Sequence, residues 1–187
     1  MKIIILDRDG TINHDSDEYI KSPEEWLPLP GALEAISRMN HAGYHVVIVT
    51  NQSGLGRGLM DVAALNGIHK RMLKQLAAVG GRIDAIFYCP HSPADGCTCR
   101  KPMPGLIDQV AERFGLEIQG VPFVGDTLTD MQAAVAAGCS PHLVLTGKSA
   151  GLRGQTLPAV FPEGTQTHVD LNAFVDALLK KHSEPAA

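Results

Sequence analysis

The chain has 187 residues, 44% hydrophobic and 19% charged, with 16 Lys/Arg against 20 Asp/Glu and a formal charge of −4. That length predicts one domain, residues 1–187, able to bury roughly 70% of its unfolded surface without covalent staples. No basic run resembles a phosphate-backbone reader, and no stretch approaches a signal peptide or the ~20 apolar residues of a membrane span. The expectation is a cytoplasmic monomer with reduced thiols and neither nucleic acid nor membrane as partner.

Short apolar runs alternate with amphipathic stretches along the chain. Strands are predicted at 2–6 (KIIIL), 44–50 (YHVVIVT), 83–89 (IDAIFYC), 121–125 (VPFVG) and 142–146 (HLVLT). Their continuous Val/Ile/Leu content suits strands buried on both faces. Four helical stripes lie among and around them. The first is Leu33, Ile36 and Met39; the second is Val62, Leu65, Ile68, Met72, Leu76 and Val79. Leu106, Val110 and Phe114 follow Pro104, a residue favoured in a first helical turn. Leu128, Met131 and Val135 are stopped by Gly138. A last helix is predicted over roughly 170–181. The alternation predicts an α/β fold, a Rossmann-like doubly wound parallel sheet with no second domain. The intervals 8–30 and 89–103 lack periodicity and begin at strand C-terminal ends, the edge where such sheets bind ligands.

Three stretches on that edge can carry chemistry. "LDRDGT" (6–11) ends the first strand with Asp7 and Asp9, whose carboxylates at i and i+2 can converge on one point. Two close carboxylates repel unless a cation or shared proton compensates, and Mg²⁺ does so naturally. Taken alone, this is also an ordinary solvated Asp-Gly turn. "VGDTLTD" (124–130) repeats the pattern with Asp126 and Asp130, although Asp126 alone could be a helix N-cap. Two acidic strand ends on one edge favour the metal. "VTNQSGLGRG" (49–58) offers Thr50, Asn51, Ser53 and Arg57 with exposed backbone N–H groups, equally suited to an oxyanion or to a polar turn. Lys101, beside Arg100, is a point charge able to hold phosphate and offset the carboxylates.

Asp-x-Asp-Gly-Thr, then Thr-Asn after the second strand, a lone lysine and Gly-Asp-x-x-x-Asp, in that order over residues 7–130, resemble the haloacid dehalogenase (HAD) phosphohydrolase superfamily. The resemblance implies a Mg²⁺-dependent phosphomonoesterase. In it Asp7 is the nucleophile that becomes an aspartyl-phosphate, and Asp9 is the general acid and then base. Thr50 and Lys101 hold the phosphoryl group. The Asp7 carboxylate, the Asp9 carbonyl and Asp126 hold Mg²⁺, and Asp130 orients its neighbours.

Cys89, His91, Cys97 and Cys99 supply three thiolates and an imidazole, a closed set that Zn²⁺ takes tetrahedrally. A cytosolic disulfide would be unusual, and Cys-x-x-Cys redox spacing is absent. The zinc would be structural, stiffening the loop that carries Arg100 and Lys101. Small HAD phosphatases without a cap domain and with this loop resemble the heptose-bisphosphate and histidinol-phosphate phosphatases. "TNQSG…RG", with Ser53 and Arg57, is more similar to the former. The implied substrate is a small phosphorylated sugar, a heptose 1,7-bisphosphate losing its C7 phosphate, with Arg57, Arg100 and Ser53 near its second phosphate. Histidinol phosphate is the alternative substrate, and a non-catalytic zinc- and phosphate-binding module the alternative of another class. Relatives often have Lys after the metal Asp, where this chain has Thr127.

The remaining histidines (14, 41, 45, 69, 142, 168 and 182) show no ligand spacing, so packing or surface roles are expected. Cys139 is expected to be a small buried residue. Trp26 and Tyr19 could line the mouth of the site or form a satellite cluster.

Overall fold

The computed structural model describes residues 1–183; side chains from 181 on, His182 among them, and the tail 184–187 lie outside the description. In chain order the elements are β1 (Ile3–Leu6), α1 (Ala32–His41), β2 (His45–Asn51), α2 (Ser53–Gly56), α3 (Val62–Ala78), β3 (Ala85–Cys89), α4 (Gly105–Phe114), β4 (Pro122–Gly125), α5 (Leu128–Ala137), β5 (Ser140–Val144), β6 (Gln166–His168) and α6 (Leu171–Ser183). The strands form one parallel sheet in the order β3-β2-β1-β4-β5-β6.

Strand alternation sorts the apolar runs onto two faces. Ile4, Leu6, Val46 and Ile48 face a core that α1, α3 and α6 close with Ile36, Ile68, Met72 and Phe174. Ile3, Ile5, Val47 and Val49 face a second core closed by α4 and α5 through Ile107, Val110, Ala133 and Ala134. Burial on both faces is why these strands read as unbroken apolar runs. The chain doubles back between β1 and β4, so their C-terminal ends lie side by side and open the crevice where doubly wound sheets take ligands.

Several expectations shift. The fifth strand runs 140–144 instead of 142–146, because Leu145 and Thr146 lead into a 3₁₀ turn at 147–152. β6 is a three-residue polar edge strand with no apolar run to betray it. Val62 and Val79 belong to the α3 pattern but are exposed at its two ends, and Val135 is exposed on α5. Trp26 is fully buried in the larger core, whereas Tyr19 lines the crevice.

Candidate active site

β1 and β4 place their acidic ends together: Asp7 N donates to Val124 O at 2.8 Å. Asp7, Asp126 and Asp130 each direct one oxygen into a cluster whose atoms lie within 4.8 Å of one another. Lys101 Nζ stands 2.8 Å from Asp7 Oδ1 and 2.6 Å from Asp130 Oδ1, and donates to Val49 O at 3.0 Å. All four residues are buried. Three carboxylates against one ammonium leave two negative charges (−3 + 1 = −2), a surplus that burial makes costly. Burial therefore pushes Asp7 up to about 7 despite Lys101, and Asp126 up to about 9 with help from Asp130. Burial works against the Lys101 ammonium, but Asp130 and Asp7 outweigh it and hold its pKa above the ordinary value. Asp126 Oδ2 accepts Lys148 N at 2.8 Å, while its Oδ1 is buried without a hydrogen-bond partner. A partnerless carboxylate oxygen beside two more carboxylates, a set whose charge with Lys101 is −2 when all three are ionised, suits a hard divalent cation such as Mg²⁺. Gly10 and Gly147, both at positive φ, let the backbone pass directly over Asp126, where a side chain would overlap its carboxylate.

Asp130 does this from a helix terminus. Thr127 N and Oγ1 donate to Asp130 Oδ2 at 3.0 and 2.6 Å, and Asp130 N donates to Thr127 Oγ1 at 3.2 Å. This reciprocal cap opens α5 and leaves Asp130 Oδ1 for Lys101. Thr127 is thus engaged in capping.

The Asp9 carboxylate takes a different path from the expected convergence with Asp7. The strand ends at Leu6, so alternation no longer governs residue 9, which sits in the turn made by Gly10. Asp9 Oδ1 accepts from Arg8 Nε at 3.0 Å and Asn13 Nδ2 at 2.8 Å. Its Oδ2 accepts from Arg8 Nη2 at 2.9 Å and Gln52 Nε2 at 2.8 Å. Asp9 nevertheless lines the same cavity as Asp7.

That cavity, about 290 Å³, is closed on the β2 side by Thr50, Asn51 and Ser53. Thr50 Oγ1 accepts from Gln52 Nε2 at 3.0 Å. The Asn51 side chain is spent on Lys101, donating to its carbonyl at 3.2 Å and accepting its N–H at 3.1 Å. Arg100 lines the cavity and its Nη1 donates to His91 O at 3.3 Å. Arg57 stands outside the wall, exposed, with its guanidinium 5.9 Å from the Tyr19 ring centre. Lys148 is a cavity residue that sequence reasoning missed; its ammonium pairs with Asp15 at 3.1 Å and with Asp17. The available signal was "LTGK" just past a strand on the acidic edge.

Cys89, His91, Cys97 and Cys99 meet at the end of β3. Cys89 Sγ lies 3.7 Å from Cys97 Sγ and 3.3 Å from Cys99 Sγ, and His91 Nδ1 lies 3.3 Å from Cys99 Sγ. No disulfide joins them. With Zn–S near 2.3 Å, a tetrahedral ion would set its sulfurs about 3.8 Å apart, so the cluster is close to the size such an ion needs.

An acidic edge of this form, at the switch point of a doubly wound sheet, is how HAD-type phosphohydrolases are built. A HAD-hydrolase-like family model matches residues 98–169. The chain is 53% identical to a D-glycero-beta-D-manno-heptose-1,7-bisphosphate 7-phosphatase of Bordetella bronchiseptica, over 97% of this chain and 99% of that protein. It is 48% identical to the Pseudomonas aeruginosa protein of the same name, over 95% and 98%. The chain belongs to the heptose-1,7-bisphosphate 7-phosphatase family of HAD-type hydrolases. A crystal structure of the B. bronchiseptica D,D-heptose 1,7-bisphosphate phosphatase, complexed with magnesium and phosphate, superposes with TM-score 0.91 at 53% identity, covering 97% of this chain and 99% of that one.

Proposed function

We propose that this chain is a Mg²⁺-dependent phosphomonoesterase that removes the C7 phosphate of D-glycero-D-manno-heptose 1,7-bisphosphate. The observation that carries the reading is the Asp7 carboxylate, buried beside Lys101 and next to the partnerless Asp126 oxygen, at the wall of an open polar cavity. Asp7 attacks phosphorus, the bond to the C7 oxygen breaks, and Asp9 gives that oxygen its proton. Asp9 then takes a proton from water, which attacks the aspartyl-phosphate and regenerates Asp7 as phosphate leaves. Lys101 and Thr50 hold the phosphoryl oxygens throughout, and Asp130 and Asn51 hold Lys101. Bound at Asp7, Asp126 and the Asp9 carbonyl, Mg²⁺ would neutralise phosphoryl charge as it develops in the transition state.

The second phosphate is assigned to Arg100 and Lys148, the exposed-side cations of the cavity wall, with Ser53 as a neutral donor. Arg57 is one side chain further out, against Tyr19. The Cys89, His91, Cys97 and Cys99 cluster is read as a structural Zn²⁺ site: four protein ligands leave no open coordination position. It would stiffen the segment from His91, whose carbonyl receives Arg100, to Lys101. The whole chain is taken as one phosphatase domain acting as a monomer. A cytoplasmic setting fits free cysteines, and among the described residues no helix is long and apolar enough to cross a membrane.

The test is kcat/KM for heptose 1,7-bisphosphate and for histidinol phosphate, with Mg²⁺ and after EDTA. The bisphosphate should be the better substrate and EDTA should abolish turnover reversibly. Histidinol phosphate as the better substrate would overturn the sugar assignment. No phosphate release from either would overturn the enzyme assignment and leave a binding module.

A further inference from the structure

α3 contributes no side chain to the cavity wall, yet one of its residues reaches towards the reacting groups. His69 is 8% exposed, and its Nε2 lies 3.2 Å from Arg8 Nη1. Arg8 itself is fully buried, an unusual place for a guanidinium. Its Nε and Nη2 both go to Asp9, so the fork grips one carboxylate with two bonds and presents Nη1 to His69. A guanidinium is planar and rigid, so fixing its Nη1 fixes the plane in which the other two bonds are made. Facing an N–H donor, His69 must accept at Nε2, which requires the neutral ring with its proton on Nδ1. Burial and the Arg8 charge hold the ring in that form, lowering its pKa to about 4. Asn13 and Gln52 complete the cradle from two other segments.

We infer that His69 is a positioning residue of the reaction: through Arg8 it sets the orientation of the Asp9 carboxylate for proton transfer, without touching substrate. The inference rests on the proposed acid–base role of Asp9. Without a partner at Nη1 the plane of the Arg8 fork is less firmly set, and the Asp9 carboxylate relies more on Asn13 and Gln52 for its orientation. Small displacements of a reacting group lower turnover more than they lower substrate binding.

The test uses the full-length protein with Mg²⁺ and a heptose bisphosphate. Four variants are compared: His69→Leu, His69→Gln, His69→Asn and Asp9→Asn, each checked for folding by thermal unfolding. A glutamine carries an acceptor at about the reach of Nε2; asparagine carries the same amide one methylene short. His69→Leu should lower kcat by about 10- to 100-fold with KM changed less than about twofold. His69→Gln should recover most of that loss and His69→Asn should not. Should the leucine variant fail to fold, the Gln/Asn pair makes the same comparison. Wild-type kcat in folded His69→Leu, or Gln no better than Asn, overturns the positioning role provided Asp9→Asn is crippled. Near-normal turnover in Asp9→Asn would instead overturn the acid–base reading beneath it.

Discussion

Asn51 and Lys101, fifty residues apart in sequence, hold each other by two hydrogen bonds, Asn51 Nδ2 to Lys101 O at 3.2 Å and Lys101 N to Asn51 Oδ1 at 3.1 Å. The pair clamps the lysine backbone to the end of β2, so the ammonium can reach both Asp7 and Asp130. On the proposed mechanism, Asn51 would act on the phosphate through Lys101, since its amide is engaged with the lysine backbone. Asn51→Ala removes both bonds, each contributing about 0.5–1.5 kcal/mol. We expect kcat to fall about 10- to 100-fold through a displaced lysine, with the fold intact, measured by steady-state kinetics beside circular dichroism.

Asp7→Asn keeps the shape of the proposed nucleophile and removes its charge. Turnover should fall by several orders of magnitude. In the metal-free protein the same change relieves repulsion among Asp7, Asp126 and Asp130, so its melting temperature should equal or exceed that of wild type, while the rise on adding Mg²⁺ should shrink. Undiminished turnover, with deamidation excluded by mass spectrometry, would remove Asp7 from the mechanism.

How far the sequence carried this depended on the distance over which each signal acts. Strands buried on both faces, such as residues 46–49 of β2, announce themselves through composition, because every position must be apolar. The site's acidic members were legible for a similar reason: Asp7 and Asp126 directly follow strands, and strand ends fix position. Asp9 was legible as a residue but not in its direction, since Gly10 turns the chain out of strand geometry. Gln52 and His69 had no local signature, and the only local hint of Lys148 was its place just past β5. Their roles come from contacts to residues 43, 61 and 22 positions away, and single-sequence periodicity says nothing about such pairs.

The cysteine cluster makes a prediction independent of turnover. Purified protein should hold about one Zn²⁺ per chain, and Cys99→Ser should lose it, because a tetrahedral site needs all four ligands. Activity should fall with the metal, as the segment from His91 through Arg100 to Lys101 loosens. Full activity in protein shown by metal analysis to be zinc-free would end that account.

The second phosphate should reveal itself by substrate dependence. Arg100→Ala and Lys148→Ala each remove a charge-assisted contact of about 1.5–3 kcal/mol, which lowers kcat/KM for the bisphosphate by roughly 10- to 150-fold. A sugar monophosphate lacking that group never made the contact and should lose little. Equal losses on both substrates would place these residues at the cleaved phosphate instead.

The buried histidine carries its own pH dependence. His69 has its pKa lowered from 6.5 to about 4 by burial and by Arg8. Between those values the unfolded chain binds a proton that the folded chain refuses, so stability falls as the pH drops from 6.5 towards 4. From pH 7 to pH 5 this group should cost about 2 kcal/mol. Asp7 and Asp126, raised in the metal-free protein, act with the opposite sign: the folded chain takes protons that the unfolded chain refuses, and acidification favours it. The net slope of wild type therefore isolates none of the three. Comparison with His69→Gln does, because the carboxylates are common to both proteins and glutamine does not titrate. Urea unfolding of metal-free wild type and His69→Gln at pH 7 and pH 5 should show wild type losing about 2 kcal/mol more than the variant. Equal changes in the two proteins would mean that His69 protonates as readily folded as unfolded, and that its Nε2 is not committed to Arg8.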